Sequence, residues 1–185
     1  MPMKPASDLS AMSLSEVAQA LAEQRLPPVE QWNPTHCGDS EMRIARDGTW
    51  YHDGAPILRH ALVQLFAGIL RREQDRYFLV TPAEKLAIDV EDAPFTAVSL
   101  TRAGSCAAQR LLLSTNVGDH VTVDAAHPLW MSQGSQPRPY VSVRDGLNAL
   151  IVRSVYYELV ALAESNGDTA VIHSCGSAFS LGQWS

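Results

Sequence analysis

The sequence predicts an α+β protein made of two similar units, with mostly antiparallel strands and one long helix per unit. Three observations carry this. An extended segment that opens on proline and ends in arginine before a helix occurs twice, as Pro56-Ile57-Leu58-Arg59 and as Pro139-Tyr140-Val141-Ser142-Val143-Arg144. The two lie about 85 residues apart, as expected of a duplicated unit. Between them run short β-rich stretches bounded by Gly, Pro, Asn or Asp, and strands and helices do not alternate in the manner of a doubly wound sheet. The expected division is an N-terminal helix and tail over 1–25, a first unit over 26–92 and a second over 93–185.

Ser13-Leu14-Ser15-Glu16 is a capping box, in which hydroxyl and carboxylate satisfy each other's free amides. Leu14, Val17, Ala18 and Leu21 then share one helical face, and Pro27-Pro28 ends the helix. The stretch from Trp32 to Asp39 reads as irregular, because Asn33-Pro34 and Gly38-Asp39 are turn chemistry. Ile44 and Trp50 to His52, separated by Asp47-Gly48, read as a tight hairpin. From Arg59 to Arg72, Leu62, Leu65, Phe66, Ile69 and Leu70 recur at helical spacing, with Arg71 and Arg72 at the negative end of the helix dipole.

A meander follows: Tyr77 to Val80, Leu86 to Val90, Phe95 to Arg102, Gln109 to Thr115, and Val121 with Val123. Leu147, Leu150, Ile151, Val155, Leu159 and Leu162 predict the second long helix, over about 145–164. Asn166-Gly167-Asp168 then turns the chain into two final strands, 169–173 and 178–181.

Bulk properties bound the function. At 185 residues the chain is long enough to bury a core without metals or disulfides. A net charge of −6 argues against a nucleic-acid polymer or an anionic membrane as partner. Lys4 and Lys85 are the only lysines among 14 basic residues, so arginine dominates, which suits bidentate anion recognition and equally a compositional bias. Cys37, Cys106 and Cys175 are odd in number and lack a C-x-x-C pair, which predicts free thiols in a reducing compartment. No signal-peptide run and no apolar stretch of about 18 residues is present, so the cytoplasm is expected.

Candidate chemistry is sparse. No P-loop and no G-x-G-x-x-G cradle occurs. His36-Cys37 with His173 and Cys175 is a set of metal-ligand types, but at spacings zinc sites do not use, so no metal is expected. Cys37 with His52 or His127 is the one thiol–imidazole pairing to consider, and a buried inert cysteine is the commoner case. Arg59 and Arg144 stand where the two helices are expected to begin, a place the dipole disfavours for a cation, so a bound anion or an acidic partner is expected there. Arg153 is expected to pair with a buried carboxylate. Lys85 is expected to reach the acids of the Glu91-Asp92 turn.

Several motifs, in order, resemble one bacterial family, the proteins grouped as domain-of-unknown-function family 1285. They are Trp32-Asn33-Pro34 with Cys37-Gly38-Asp39, Asp47-Gly48-Thr49-Trp50-Tyr51-His52-Asp53-Gly54-Ala55-Pro56-Ile57 and Tyr77-Phe78-Leu79-Val80-Thr81-Pro82-Ala83-Glu84-Lys85. Val90-Glu91-Asp92-Ala93-Pro94-Phe95, Thr115-Asn116-Val117-Gly118-Asp119, His127-Pro128-Leu129 and Pro139-Tyr140-Val141-Ser142-Val143-Arg144-Asp145-Gly146-Leu147 continue the match. Trp130 stands where a basic residue is expected. The resemblance implies a duplicated α+β protein whose C-terminal unit superficially resembles a pleckstrin-homology-like fold. It also implies a cleft between units for a nucleotide-like ligand and a link to signal transduction.

The leading expectation is therefore a cytosolic protein without catalysis that holds a small anionic, nucleotide-like ligand between its units. Trp50, His52, Arg59, Lys85, His127, Tyr140 and Arg144 are the candidate binding residues, and no cofactor is named. The alternatives are a protein-interaction module with a protein partner, and an enzyme using Cys37 or His127.

Overall fold

The computed structural model describes residues 27–105 and 108–183; the expected helix of residues 13–25 and Cys106 lie outside the described residues. The chain divides into two compact units between Glu91 and Asp92. The first contains β1 (His36–Ile44), β2 (Trp50–His52), β3 (Ala55–Pro56), α1 (His60–Gly68), β4 (Leu70–Glu73), β5 (Arg76–Val80) and β6 (Glu84–Val90). Its six strands form one sheet in the order β3-β2-β1-β6-β5-β4. All neighbours are antiparallel except the central pair, where β1 and β6 run parallel with His36 opposite Glu84 and Ile44 opposite Val90. Trp50 stacks on Phe66 of α1, ring centroids 6.4 Å apart, and with Ile44, Ile69, Leu70 and Leu79 makes a core from which water is excluded.

Two expectations change here. The helix predicted to run to Arg72 ends at Gly68, and Leu70–Glu73 becomes an edge strand that turns through Gln74-Asp75 onto β5. Leu70 is buried in either reading, so burial alone does not separate them; pairing with β5 gives those backbone groups ladder partners. The segment expected to be irregular up to Asp39 instead enters β1 at His36.

The second unit contains β7 (Phe95–Ala103), β8 (Arg110–Thr115), β9 (His120–Thr122), β10 (Leu129–Met131), β11 (Pro139–Arg144) and β12 (Leu147–Ile151). α2 (Arg153–Leu162), β13 (Glu164–Asn166), β14 (Thr169–Ser174) and β15 (Ser177–Gln183) follow. Strands β10-β11-β12-β7-β8-β9 form a six-stranded sheet in which β7 and β12 are the parallel pair, and β13-β14-β15 form a smaller one. Phe95, Leu111, Leu113, Leu147, Leu159, Ile172 and Leu181 fill this core.

The long helix predicted over 145–164 is corrected to a hairpin and a shorter helix. Asp145 and Gly146 take φ of 45° and 75°, the pair of positive values a type I′ turn requires, and Asp-Gly is a strong signal for it. Leu147, Ala149 and Ile151 are buried while Asn148 and Leu150 are less so, which is period two rather than 3.6. Among the described residues each unit thus has one α-helix of only nine or ten residues.

The duplication survives with a different register. Asp53-Gly54, also at positive φ, turns β2 into β3 as Asp145-Gly146 turns β11 into β12. His60 and Arg153 open the two helices, and β6 (84–90) and β15 (177–183) are both seven residues long. Each of these last matches is spaced by 93 positions rather than about 85. The repeated body is therefore meander, helix, meander, over 36–90 and again over 129–183. Strands β7–β9 precede the second copy and pair with its β12 through β7. In the first copy the first and last strands, β1 and β6, are hydrogen-bonded neighbours; in the second, β10 and β15 lie side by side.

Candidate functional site

The sheet of the first unit has two unlike faces. Ile44, Trp50, Leu79 and Ile88 point to the side that α1 covers. Strand alternation sends Cys37, Phe78, Lys85 and Ala87 to the other side, where they line a groove of about 640 Å³ with Glu73 and Arg76, a volume within the range of ligand clefts. Register explains the grouping: Cys37 lies opposite Lys85 across the parallel pair, and Phe78 opposite Ala87.

The charges of this groove are arranged around one aromatic ring. Lys85 Nζ lies 4.9 Å from the centroid of Phe78 and Arg76 Cζ 5.3 Å, both within cation–π range. Lys85 also donates to Glu73 at 3.0 Å, and Glu73 accepts from Arg71 as well. The Lys85 hydrogen bond, opposed by burial and aided by Arg71, holds the Glu73 carboxyl below its ordinary 4.5. Arg71 is itself buried, and its Nη1 donates to the carbonyls of Val29 (3.1 Å) and Trp32 (2.7 Å), tying the preceding chain against β4. Lys85 thus meets Glu73, and the acids it was expected to reach have other partners: Glu91 pairs with Arg43, and Asp92 with Arg138.

The other sequence-derived candidates are distributed as follows. Trp50 is 1% exposed, so its ring belongs to the core; its indole N–H is buried without a hydrogen bond. His52 and Arg59 are exposed in the first unit, and Arg59 does precede α1. In the second unit His127 Nδ1 lies 3.1 Å from Asp124 Oδ1, a carboxylate oxygen that also accepts the backbone N–H groups of Ala126 and His127. Tyr140 stacks on Trp130 at 5.7 Å and donates to Asp92 at 2.7 Å. Burial, and then that hydrogen bond, push its phenol up to about 12.

Arg144 does not open a helix, as was expected. It ends β11, ion-paired with Asp119 at 3.3 Å and with its guanidinium carbon 5.1 Å from the Phe95 centroid. Arg153 pairs with no buried carboxylate among the described residues; it is exposed in the first turn of α2 and donates to Tyr157 at 3.0 Å. Cys37 is exposed, contrary to the expectation of a buried thiol, and Cys175 is exposed as well. Among the described residues no three His, Cys, Asp or Glu side chains gather as a metal site.

Of the candidate binding residues Lys85 lines the groove, and Cys37, the candidate thiol of the enzymatic alternative, lines it as well. Arg76 and Phe78 are not among the sequence-derived binding candidates, because nothing in Arg76-Tyr77-Phe78 marks which side chains leave the core face; only the pairing with β6 does. The first class this structure defines is a duplicated α+β protein with a cationic, aromatic-floored groove on its first copy.

Comparison with known proteins makes that more particular. Residues 27–93 match the model described as the N-terminal domain of a domain of unknown function, DUF1285, and residues 94–181 match the C-terminal domain of the same family. The chain belongs to the DUF1285 family. It is similar to the crystal structure of a DUF1285 family protein from Silicibacter pomeroyi DSS-3, at 45% identity, with 94% of this chain and 96% of that chain covered and a TM-score of 0.85. It is also similar to a DUF1285 family protein from Shewanella baltica OS155, at 31% identity over 65% of this chain and 90% of that chain, with a TM-score of 0.53. Comparison with curated proteins finds no match. No helix among the described residues is long and apolar enough to cross a membrane.

Proposed function

We propose that this DUF1285 protein binds a small anionic, nucleotide-like molecule and serves in signal transduction by reporting that molecule rather than transforming it. The observation that supports the reading is the groove of the first unit, where Arg76 and Lys85 flank the face of Phe78. Phosphate suits the two cations, and a flat base suits the ring.

The duplication supplies an internal control. At the corresponding positions, 93 residues on, the second copy has Thr169 for Arg76, Val171 for Phe78, Ala178 for Lys85 and Asn166 for Glu73. The same succession of strands forms there, so the scaffold does not require the charged set. A requirement other than folding accounts for it most simply.

Thermal denaturation of the chain with mononucleotides and dinucleotides tests the proposal. A ligand at 100 times its Kd adds about 2.7 kcal/mol of stability. A gain that Arg76→Ala and Lys85→Ala each remove is the expected result; no gain with any nucleotide rejects it. A second reading is a module that docks a protein partner, tested at Leu58 of the first unit, which is 88% exposed ahead of α1. Co-purification lost on Leu58→Asp but kept in Arg76→Ala would favour it.

A further inference from the structure

The second unit holds a cleft of about 450 Å³ that shares no residue with the groove of the first. Its floor is rigid. Buried Gln109 donates through Nε2 to the carbonyl of His173 at 2.6 Å, the Leu111 N–H donates to Ser174 Oγ at 3.0 Å, and the Cys175 N–H donates to the Gln109 carbonyl at 2.9 Å. These bonds fasten β14 to the start of β8, so the side chains around them start from a fixed backbone.

Around that floor stand Arg102 of β7, Glu164 of β13 and His173 of β14, with Leu162 at the end of α2 as an apolar wall. Arg102, Glu164 and His173 are exposed at the rim of the cleft, while Gln109 and Ser174 beneath them are buried. Side chains of opposite charge lining one cleft suit a ligand that carries both signs.

The first copy again separates scaffold from site. At the positions 93 earlier, Arg71 stands for Glu164 and Val80 for His173, and Val80 is fully buried. The hairpin therefore forms without an acid or an imidazole at these places. In the second copy these positions line a cleft together with a cation, Arg102.

We propose that this cleft binds a small zwitterion of the α-amino-acid class. Its carboxylate rests on Arg102, its ammonium on Glu164, and an aliphatic side chain lies against Leu162. His173 adds a ring nitrogen that accepts or donates. A cleft of about 450 Å³ has room for a molecule of this size.

Calorimetric titration of the chain with L-leucine, L-valine and L-isoleucine tests this, with acetate and isobutylamine as single-charge controls. Binding of at least one of the amino acids is expected, weakened at least tenfold by Arg102→Gln and by Glu164→Gln and unchanged by Arg76→Ala in the other groove. Near-UV circular dichroism identifies a variant that has lost its fold, in which case Arg102→Lys and Glu164→Asp replace it. No binding of any of the three at millimolar concentration overturns the proposal. So does affinity that neither substitution lowers, or acetate binding as tightly as the amino acids.

Discussion

Tyr140 donates its phenolic hydrogen to Asp92 Oδ1 at 2.7 Å while Arg138 Nη1 holds Oδ2 of the same carboxylate at 2.9 Å. Asp92 is the first residue of the second unit, so the bond fixes where that unit begins against β11. Tyr140→Phe removes one side-chain hydrogen bond and is expected to cost about 1 kcal/mol in chemical denaturation. The phenol is raised from 10.0 to about 12 in the folded chain. Its neutral form is the one the fold favours, so this contribution is complete below pH 10 and is lost as pH rises from 10 towards 12. Tyr140→Phe should remove that part of the alkaline fall in stability.

Arg144 and Asp119 form a mostly buried pair, with side chains 16% and 21% exposed. Arg144→Ala leaves the Asp119 carboxylate without its cation, and a loss of about 3 kcal/mol is expected in urea denaturation. Arg144→Met with Asp119→Leu should recover most of it, because both charges are then gone. A loss of ligand response in Arg144→Ala alone would consequently report on the fold as much as on binding.

Glu73 shares its carboxylate between Lys85 and Arg71. Its lowered pKa means that the folded chain favours the ionised form, so the associated stability is present above about pH 4.5 and is lost as pH falls through the lower folded value. Glu73→Gln should flatten the acid limb of stability against pH. The same substitution frees Lys85 and should tighten anion binding in the groove, read as a lower Kd in a nucleotide titration.

Gly146 sits at φ 75° after Asp145 at φ 45°, and a β-carbon is disfavoured there. Gly146→Ala should cost about 1 kcal/mol in denaturation, whereas Asp145→Asn, which keeps a side chain tolerant of the left-handed region, should be nearly neutral.

The residues show what was legible and why. Alternation along Leu86-Ile88-Val90 and the turn chemistry of Asp47-Gly48 placed β6 and the first hairpin, because both signals are local. Leu147 to Ile151 misled, since its apolar residues satisfy a helical period when Leu150 is counted inward and a strand period when Ala149 is. Which of them reaches the core depends on β7, some fifty residues earlier and invisible to a local window. The groove was hidden for the same reason: Cys37, Phe78 and Lys85 meet only through the β1–β6 and β5–β6 registers. From the sequence Lys85 is a candidate through its turn and the nearby Glu91-Asp92 acids, whereas its partner in the fold is Glu73 of the edge strand. Arg144 was singled out for a helix start it does not occupy, and its partner Asp119 lies in a different turn.

The parallel pairing of β1 with β6 joins residues 36–44 to residues 84–90. During synthesis the first strand therefore emerges long before its central neighbour exists, and it must wait with one edge unpaired until β6 has left the ribosome. Closing so long a loop carries an entropic cost that the local hairpins inside it do not. The sheet of the first unit is complete only with its final strand, and a chain interrupted before Glu84 would carry an open edge that invites association with other chains.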